Sequence, residues 1–271
     1  MDNNCFFRPR TLEEALGSIG GDPVPYYVER MEKRWQQKEV TTKGSNVKVL
    51  IFGATGMVGQ AALRECLQAP DVELVTAVGR TPTGQQHPKL RDMVHADMWH
   101  FDAVQDQLSG YDACFFCIGQ TSSGMKEKDY VHLTYDMTLA VANTLAPRNP
   151  SMVFIYVSGA GADSTGKSRI MWERVRGETE NALLALPFRG VYILRPGMIQ
   201  PLDGIKSKTA AYRIFYSLFK PVLPLLRAAL PKHVLTTRQV GQAMLAAVRH
   251  GAPRRVLESA DIAQLGRKGD T

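Results

Sequence analysis

Three glycines at intervals of three residues form the clearest chemical pattern in this sequence. Gly53, Gly56 and Gly59 follow an apolar run in the stretch VKVLIFGATGMVG, which covers residues 47–59. In such a pattern the first glycine lets the chain turn sharply, and the second lets backbone N–H groups approach a pyrophosphate. The third allows a helix to pack closely on the preceding strand. The spacing therefore predicts a loop that binds phosphate.

The residues on either side supply the elements that such a loop needs. Residues 47–52 have the composition of a buried parallel strand, and a helical pattern of apolar residues begins at Met57. The N-terminus of that helix would add unpaired N–H donors and a partial positive charge. Strand, turn and helix in this order indicate a dinucleotide-binding unit. The alternative is a turn whose glycines serve packing only.

An arginine stands where the second strand of this unit is predicted to end. In units that bind NAD, an acidic residue about 20 positions after the glycines binds the ribose 2′-hydroxyl. Gly79 and Arg80 occupy that region here, and a guanidinium binds a 2′-phosphate through paired N–H groups. We therefore predict NADP(H) in preference to NAD(H), with a solvated surface arginine as the alternative. Asp97 and Met98 are candidates for contact with the adenine, unless Asp97 caps a helix.

Strands and helices alternate along the chain from Val47 onward. The predicted strands cover residues 47–52, 73–78, 92–96, 112–118, 152–157 and 191–194, and helices are predicted after the glycines and over residues 101–108, 126–146 and 168–186. This alternation predicts an α/β fold, a doubly wound parallel sheet with right-handed crossovers. Ligands bind at the carboxyl ends of the strands in such sheets. The residues at those ends are Arg80, Asp97, Gly119, Ser158 and Arg195.

The composition is that of a soluble globular protein of 271 residues, with 44% hydrophobic and 22% charged residues. A net charge of +7 suits an anionic cofactor, a membrane surface or nucleic acid, but no nucleic-acid motif or zinc-ligand spacing is present. Cys114 and Cys117 lie three positions apart in an apolar strand, so they would face opposite sides as free thiols. The sequence shows no signal peptide and no stretch of about 18 uncharged apolar residues that could span a membrane as a helix. We therefore predict a cytoplasmic protein without a metal.

Two segments lie outside the predicted sheet. Residues 1–46 are predicted to be an N-terminal extension with helices over 11–19 and 26–40, and residues 47–271 to be the dinucleotide-binding domain. That domain would end in a small helical substrate lobe, from about residue 198. Within it, residues 210–230 are apolar with a basic stripe of Arg213, Lys220 and Arg227, and are predicted to line an apolar pocket. Docking on an anionic membrane and a dimer contact are the alternatives. A covering helix over 237–248, capped by Thr236 or Thr237, and a last strand and turn over 256–265 complete the lobe.

Six short motifs together resemble the atypical short-chain dehydrogenase/reductase superfamily. They are GATGMVG, VGR, FFCIG, VSGAGAD, RVRGETE and ILRPG, and the similarity extends over about residues 47–266. More narrowly, they look like the HIV-Tat-interacting-protein-like branch and bacterial epimerase/dehydratase-like oxidoreductases. The resemblance implies an NADP-binding Rossmann fold in which Ser158 is the catalytic serine. It also implies a Tyr-x-x-x-Lys pair on the next helix, with the tyrosine as acid/base and the lysine on the nicotinamide ribose.

This chain departs from that pattern at both positions of the pair. When RVRGETE is aligned on the V-K-G-E run of the family, Trp172 stands at the tyrosine position and Arg176 at the lysine position. An indole N–H donates a hydrogen bond but does not transfer its proton, and a guanidinium does not titrate. The substituted pair still lies on one helix face. The resemblance implies cofactor contacts from Gly53, Ala54, Thr55, Gly56, Met57, Val58, Gly59, Arg80, Asp97, Met98, Cys117, Ile118, Gly119, Arg176, Pro196 and Gly197.

Three hypotheses follow from the substituted pair. A substitute acid could come from Tyr130, His132, Tyr135 or Tyr156. Alternatively, the substrate needs no strong acid, as with a C=C or imine bond polarised by Ser158 or Ser122. In the third, the protein binds NADP(H) without turnover, as a regulatory or membrane-associated scaffold. We favour an NADP(H)-dependent oxidoreductase acting on an apolar or carbonyl-bearing small molecule, with Ser158, Trp172 and Arg176 as its catalytic residues.

Overall fold

A parallel sheet of seven strands forms the centre of the part of the chain that the computed structural model describes, residues 46–205 and 234–268. The run of Val47–Phe52 forms the first strand, and four of its residues have no exposed surface. Such burial on both faces explains why it is apolar throughout. The seven strands are β1 (Val47–Phe52), β2 (Val72–Gly79), β3 (Leu90–Val94), β4 (Ala113–Phe116), β5 (Val153–Val157), β6 (Gly190–Arg195) and β9 (Val256–Glu258).

The strand order in this sheet is β3-β2-β1-β4-β5-β6-β9, and every neighbouring pair is parallel. The chain runs outward from β1 to β3 and then returns to β4 on the other side of β1. The order therefore reverses between β1 and β4, and a crevice at such a reversal is where doubly wound sheets bind ligands. The predicted α/β fold class and all six predicted strands are confirmed, with shifts of a few residues at their ends.

Helices cover both faces of the sheet and divide the core into two clusters. One cluster contains Ile51, Leu63 and Met244, and the other contains Phe52, Phe116 and Leu145. The described helices are α1 (Met57–Gln68), α2 (Glu127–Val131), α3 (Met137–Leu145), α4 (Met171–Leu184), α5 (Thr237–His250) and α6 (Ser259–Lys268).

Two predicted helices differ from the structure. Over residues 101–108 only a short 3-10 turn forms, Gln105–Leu108. The predicted long helix over 126–146 is continuous but contains a π-helical segment, His132–Asp136, between α2 and α3. A π segment accommodates an extra residue in the helical ladder, which the spacing of apolar residues does not reveal.

The C-terminal residues return to the main sheet. A small parallel pair joins β7 (Met198–Gln200) to β8 (Val234–Thr236), and α5 then packs against α1. Thr236 caps α5 through a capping box, as predicted, whereas the predicted turn after β9 is the helix α6. The predictions for residues 1–45 and 206–233, including the basic stripe, lie outside the described residues. Among the described helices, none is both long and apolar enough to cross a membrane.

Candidate functional site

The glycine turn stands at the reversal point between β1 and β4. Gly53 adopts the left-handed region with φ of 80°, and a Cβ on it would lie 2.9 Å from the carbonyl carbon of Cys117. Its freedom thus serves both the turn and the close approach of the end of β4. A Cβ on Gly59 would lie 2.0 Å from the carbonyl oxygen of Gly53, which is the tight strand–helix packing that the spacing predicts.

The first turn of α1 begins directly after this loop. Gly56 is the N-cap residue of α1, and its own N–H donates to the carbonyl of Gly53 at 2.9 Å. No side chain caps this end of α1, and its first turn contains no acidic residue. The N–H groups of Met57 and Val58 thus begin a helix whose dipole favours an anion at this point. These features fit a pyrophosphate at the glycine turn.

Arg80 lies just beyond β2, at the same edge of the sheet. Its side chain is exposed and makes no hydrogen bond or ion pair within the described parts of the chain. A guanidinium in this position is available to a 2′-phosphate.

The contacts of Asp97 and the burial of Met98 differ from the adenine contacts that the sequence predicted. The carboxylate of Asp97 accepts hydrogen bonds from the backbone N–H groups of Trp99 and His100 and from the His100 ring, and these bonds lower its pKa. The side chain of Met98 is 3% exposed and belongs to the second core cluster. The local cap of Asp97 and the burial of Met98 weigh against contact of either side chain with an adenine.

Arg176 reaches the ends of β4 and β5 from helix α4. Its Nε donates to the hydroxyl of Tyr130 at 3.0 Å. A Cβ built on Gly119 would lie 3.9 Å from Nη2, and one on Gly159 would lie 3.6 Å from Nη1. The two terminal nitrogens therefore lie near glycines that follow two adjacent strands. Within the described residues, neither nitrogen donates a hydrogen bond and no carboxylate pairs with Arg176.

Trp172 lies one helical turn before Arg176 on α4, against the same loop. A Cβ on Gly161, whose φ is 94°, would lie 3.3 Å from Cη2 of the indole. Trp172 is half-buried. The spacing of four residues thus brings both substituted side chains to the loop that follows β5, on the side of α4 that the sequence indicated.

Ser158 is placed at the end of β5 as predicted, but its hydroxyl proton is engaged. Its Oγ donates to Oε1 of Glu180 at 2.5 Å, and the residue is 6% exposed. Glu180 has no exposed surface and also accepts hydrogen bonds from Arg195, at the end of β6. A donor hydrogen bond to a buried carboxylate opposes the predicted role of Ser158 in polarising a substrate, because that bond would have to break first.

The buried carboxylate of Glu180 is the part of this site that sequence reasoning missed. It joins the ends of β5 and β6 to helix α4, and Arg195 continues the network to Ser164 and Glu258. The hydrogen bonds to Glu180 raise the pKa of Arg195. Glu180 follows Arg176 by four residues within RVRGETE, so that motif carried the signal, although it did not reveal burial.

Three of the four candidate substitute acids are not open donors beside Arg176. Tyr130 is 1% exposed and accepts from Arg176. Tyr156 is 2% exposed, and burial raises its pKa to about 12. His132 is exposed and stacks on Trp99, with ring centres 4.8 Å apart, which places it beside the loop after β3. Tyr135 is half-buried on the π segment.

Three further cofactor candidates, Cys117, Pro196 and Gly197, lie along the same edge. The N–H of Cys117 donates to the carbonyl of Phe52 at 2.9 Å, which ties the end of β4 to β1. The carbonyl of Pro196 accepts from Ala160, and the N–H of Gly197 donates to Ser259. The bond from Ala160 joins the loops after β5 and β6, and the bond from Gly197 joins the loop after β6 to the start of α6.

Comparison with known proteins agrees with this geometry. Residues 49–170 match the NAD dependent epimerase/dehydratase family. Protein FMP52, mitochondrial, of Eremothecium gossypii is 27% identical over 231 residues, which are 83% of this chain and 100% of that protein. The corresponding Emericella nidulans protein is 30% identical over 158 residues, which are 56% of this chain and 66% of its own length. Relatives named as mitochondrial contradict the predicted cytoplasmic location, so that prediction was wrong.

Solved structures share the fold at low sequence identity. Candida albicans Gre2 in complex with NADPH has a TM-score of 0.60 at 14% identity, with 78% of each chain covered. A short-chain dehydrogenase/reductase family oxidoreductase from Burkholderia thailandensis has a TM-score of 0.59 at 14% identity, over 82% of this chain and 94% of that one. The predicted resemblance is therefore confirmed: this chain shares the Rossmann fold of short-chain dehydrogenase/reductase proteins, and its residues 49–170 match the NAD dependent epimerase/dehydratase family.

Proposed function

We propose that this protein is an NADP(H)-dependent oxidoreductase acting on an apolar or carbonyl-bearing small molecule. The observation that carries the proposal is the convergence of the glycine turn and Arg176 on one sheet edge, at the strand reversal between β1 and β4. A nicotinamide dinucleotide bound there would supply or accept a hydride. One protein of the same fold, Candida albicans Gre2, was solved in complex with NADPH, which supports a cofactor of this class.

The cofactor would be held by groups at three places along this edge. Backbone N–H groups of residues 53–59 would bind the pyrophosphate, and Arg80 the 2′-phosphate. One terminal nitrogen of Arg176 would donate to the nicotinamide ribose, in place of the family's lysine. Ile118 and Gly119 would border the ribose, and the loop around Pro196 and Gly197 would border the nicotinamide. The preference for NADP(H) depends on Arg80 alone.

Trp172 would line the nicotinamide site without taking part in proton transfer. Ser158 would position the end of β5 through Glu180. With Trp172 and Ser158 in these roles, the site has no proton donor at the position where ketone reduction ordinarily uses one.

A second candidate function is specifically favoured by Trp172. An indole at the tyrosine position removes the proton donor while leaving the glycine turn unchanged, as in a protein that binds NADP(H) without turnover. Such a protein would be a regulatory or membrane-associated scaffold.

The deciding experiment measures binding and turnover separately. NADPH and NADH binding is titrated by calorimetry, and NADPH oxidation is then followed with carbonyl, enone and imine substrates. We expect binding and turnover of at least one class, and tight binding with no turnover would favour the scaffold. If only the acid is missing, Trp172→Tyr combined with Arg176→Lys raises the rate with simple carbonyls. No uptake of either nucleotide would overturn both candidates.

We further propose a mitochondrial location, which rests on the names of the relatives. Fractionation of cells expressing the full chain tests it, because recovery in the cytosolic fraction alone would contradict it. The division into an extension over residues 1–46, a Rossmann domain from 47 and a lobe from about 198 stays a prediction. Membrane contact through residues 210–230 and a homodimer also stay predictions.

A further inference from the structure

The hydroxyl proton of Ser158, near Arg176, is already engaged. Ser158 donates to Glu180 at 2.5 Å, and Glu180 is itself fully buried and bound by Arg195. Moving the Ser158 proton toward a substrate would leave this fully buried carboxylate short of one donor, which is costly. Ser158 can offer the site an acceptor lone pair but not its proton.

The aromatic side chains nearby do not replace that donor. The indole of Trp172 does not release its proton, and the hydroxyl of Tyr130 is covered, since the residue is 1% exposed. Tyr156 is equally enclosed, at 2% exposed. No solvent-open proton donor is therefore found among these described residues that flank Arg176.

What the site does contain is a permanent cation. Arg176 cannot deprotonate, and its Nη1 and Nη2 point to the glycines after β5 and β4 without a carboxylate partner among the described residues. Glu180 is close enough to raise the pKa of Arg176, but it forms no ion pair with it among the described residues. A half-buried guanidinium whose terminal nitrogens bind no carboxylate stabilises negative charge that develops next to it. The two nitrogens can serve two groups, since they face different strand ends.

We propose that the substrate is an α,β-unsaturated carbonyl compound whose enolate oxygen is stabilised by Nη1 of Arg176, while Nη2 remains on the cofactor ribose. This proposal rests on the proposed oxidoreductase function. A hydride from the reduced nicotinamide dinucleotide forms the new C–H bond at the β-carbon. The C=C electron pair moves into the bond to the carbonyl carbon, and the C=O pair moves onto oxygen. The α-carbon then takes a proton from water, so the product is the saturated carbonyl compound.

The side chains around Arg176 explain why an α,β-unsaturated carbonyl compound fits the site better than a simple ketone. Hydride addition to a ketone produces an alkoxide, a strong base that needs a proton donor at once. Conjugate addition produces an enolate, whose charge is delocalised and far less basic. A cation alone can stabilise an enolate, and solvent can protonate it at carbon later.

A binding experiment tests the oxyanion site without turnover. para-Nitrophenol is titrated into the protein in the presence of NADP⁺, because its phenolate resembles an enolate and absorbs visible light when ionised. We expect the bound phenol to ionise at a lower pH than the free phenol. Arg176→Met should weaken phenolate binding by about 10- to 100-fold, the range for a charge-assisted hydrogen bond.

Arg176→Lys and Arg254→Met provide the comparisons. A lysine keeps the positive charge but has a single ammonium group, which can bind only one of the two ligands. We therefore expect NADP⁺ affinity within about threefold of wild type but phenolate affinity at least about tenfold lower. Arg254 is exposed on the loop before β9, so its replacement should change neither affinity. Thermal melting of each variant shows whether it is folded.

The outcomes separate this proposal from the function on which it rests. If NADP⁺ does not bind, the proposed function fails. If NADP⁺ binds but the phenolate does not, or binds equally to Arg176→Met, the oxyanion site is overturned while the cofactor site stands. In turnover with 2-cyclohexenone, formation of cyclohexanone supports the proposal. Formation of the allylic alcohol instead overturns it.

Discussion

Arg176 has two terminal donor nitrogens where the family's lysine has one ammonium. The structure places these nitrogens near the ends of two strands, with Nε held by Tyr130. A lysine could follow only one of the two directions. On our proposal, the residues Trp172 and Arg176, four positions apart, would give a site that stabilises charge in place of one that transfers a proton.

At the residue scale, Arg80 should determine the choice of dinucleotide. We expect Arg80→Ala to weaken NADPH binding by about 10- to 100-fold through loss of a charge-assisted contact, and to leave NADH binding unchanged. Calorimetric titration with both nucleotides measures this. Arg91→Ala is the matched control, since Arg91 is also exposed and lies on the adjacent strand β3. Equal losses for the two nucleotides would contradict the assignment.

Asp163 provides a pH-dependent test of the loop that precedes α4. Hydrogen bonds from Thr165 and Ser168 lower its pKa from 3.8 to about 2. Since the folded-state pKa lies below the unfolded one, the carboxylate stabilises the fold fully above pH 3.8, and this contribution is lost as the pH falls through about 2. We expect Asp163→Asn to lower the unfolding free energy at pH 6 and to do so much less at pH 2, measured by urea denaturation. A difference that does not change with pH would contradict this.

At the element scale, the joint of β1 and α1 depends on Gly59. A Cβ there would lie 2.0 Å from a backbone carbonyl oxygen, so neither group can move away cheaply. We expect Gly59→Ala to cost more than about 3 kcal/mol in unfolding free energy, beyond ordinary overpacking. Urea denaturation is the measurement. Gly79→Ala is the control, because its nearest atom would be at an ordinary 3.6 Å and we expect a cost below about 1 kcal/mol.

The elements near the glycine turn were predictable because local pattern and tertiary contact agree there. The run of Val47–Phe52 and the glycines after it encode strand, turn and helix without reference to distant residues. The network of Glu180 was not predictable, since it needs the ends of β5 and β6 brought together. Asp97 was ambiguous for a similar reason, because a capping carboxylate and a ligand-binding one have the same sequence context.

At the scale of the whole molecule, an ion pair connects two residues that are far apart in the sequence, Asp71 and Arg249. Arg249, in the last turn of α5, donates to Asp71 through Nε at 2.7 Å and Nη2 at 2.5 Å, across 178 positions of sequence. Its bonds lower the pKa of Asp71. The pair holds α5 against the turn that leads from α1 into β2.

We expect Arg249→Met to lower the unfolding free energy by about 1 kcal/mol at neutral pH, since the pair is partly exposed. The loss should shrink as the pH falls below 3.8, because the lowered pKa of Asp71 places its contribution above that value. Denaturation by urea at several pH values measures both effects. The exposed Arg254→Met is the control, and a loss no larger than in that variant would show that the pair contributes nothing.

The π segment His132–Asp136 fixes the number of residues that the helix between β4 and β5 must contain. An extra residue in a helix rotates everything beyond it by about 100° relative to a regular α-helix, because each residue turns the helix by that angle. Tyr130 can therefore reach Arg176 while Val141 and Leu145, on the same continuous helix, face the core. Deleting one residue within the segment would restore a regular α-helix. That helix could then place either Tyr130 against Arg176 or Val141 and Leu145 in the core, but not both.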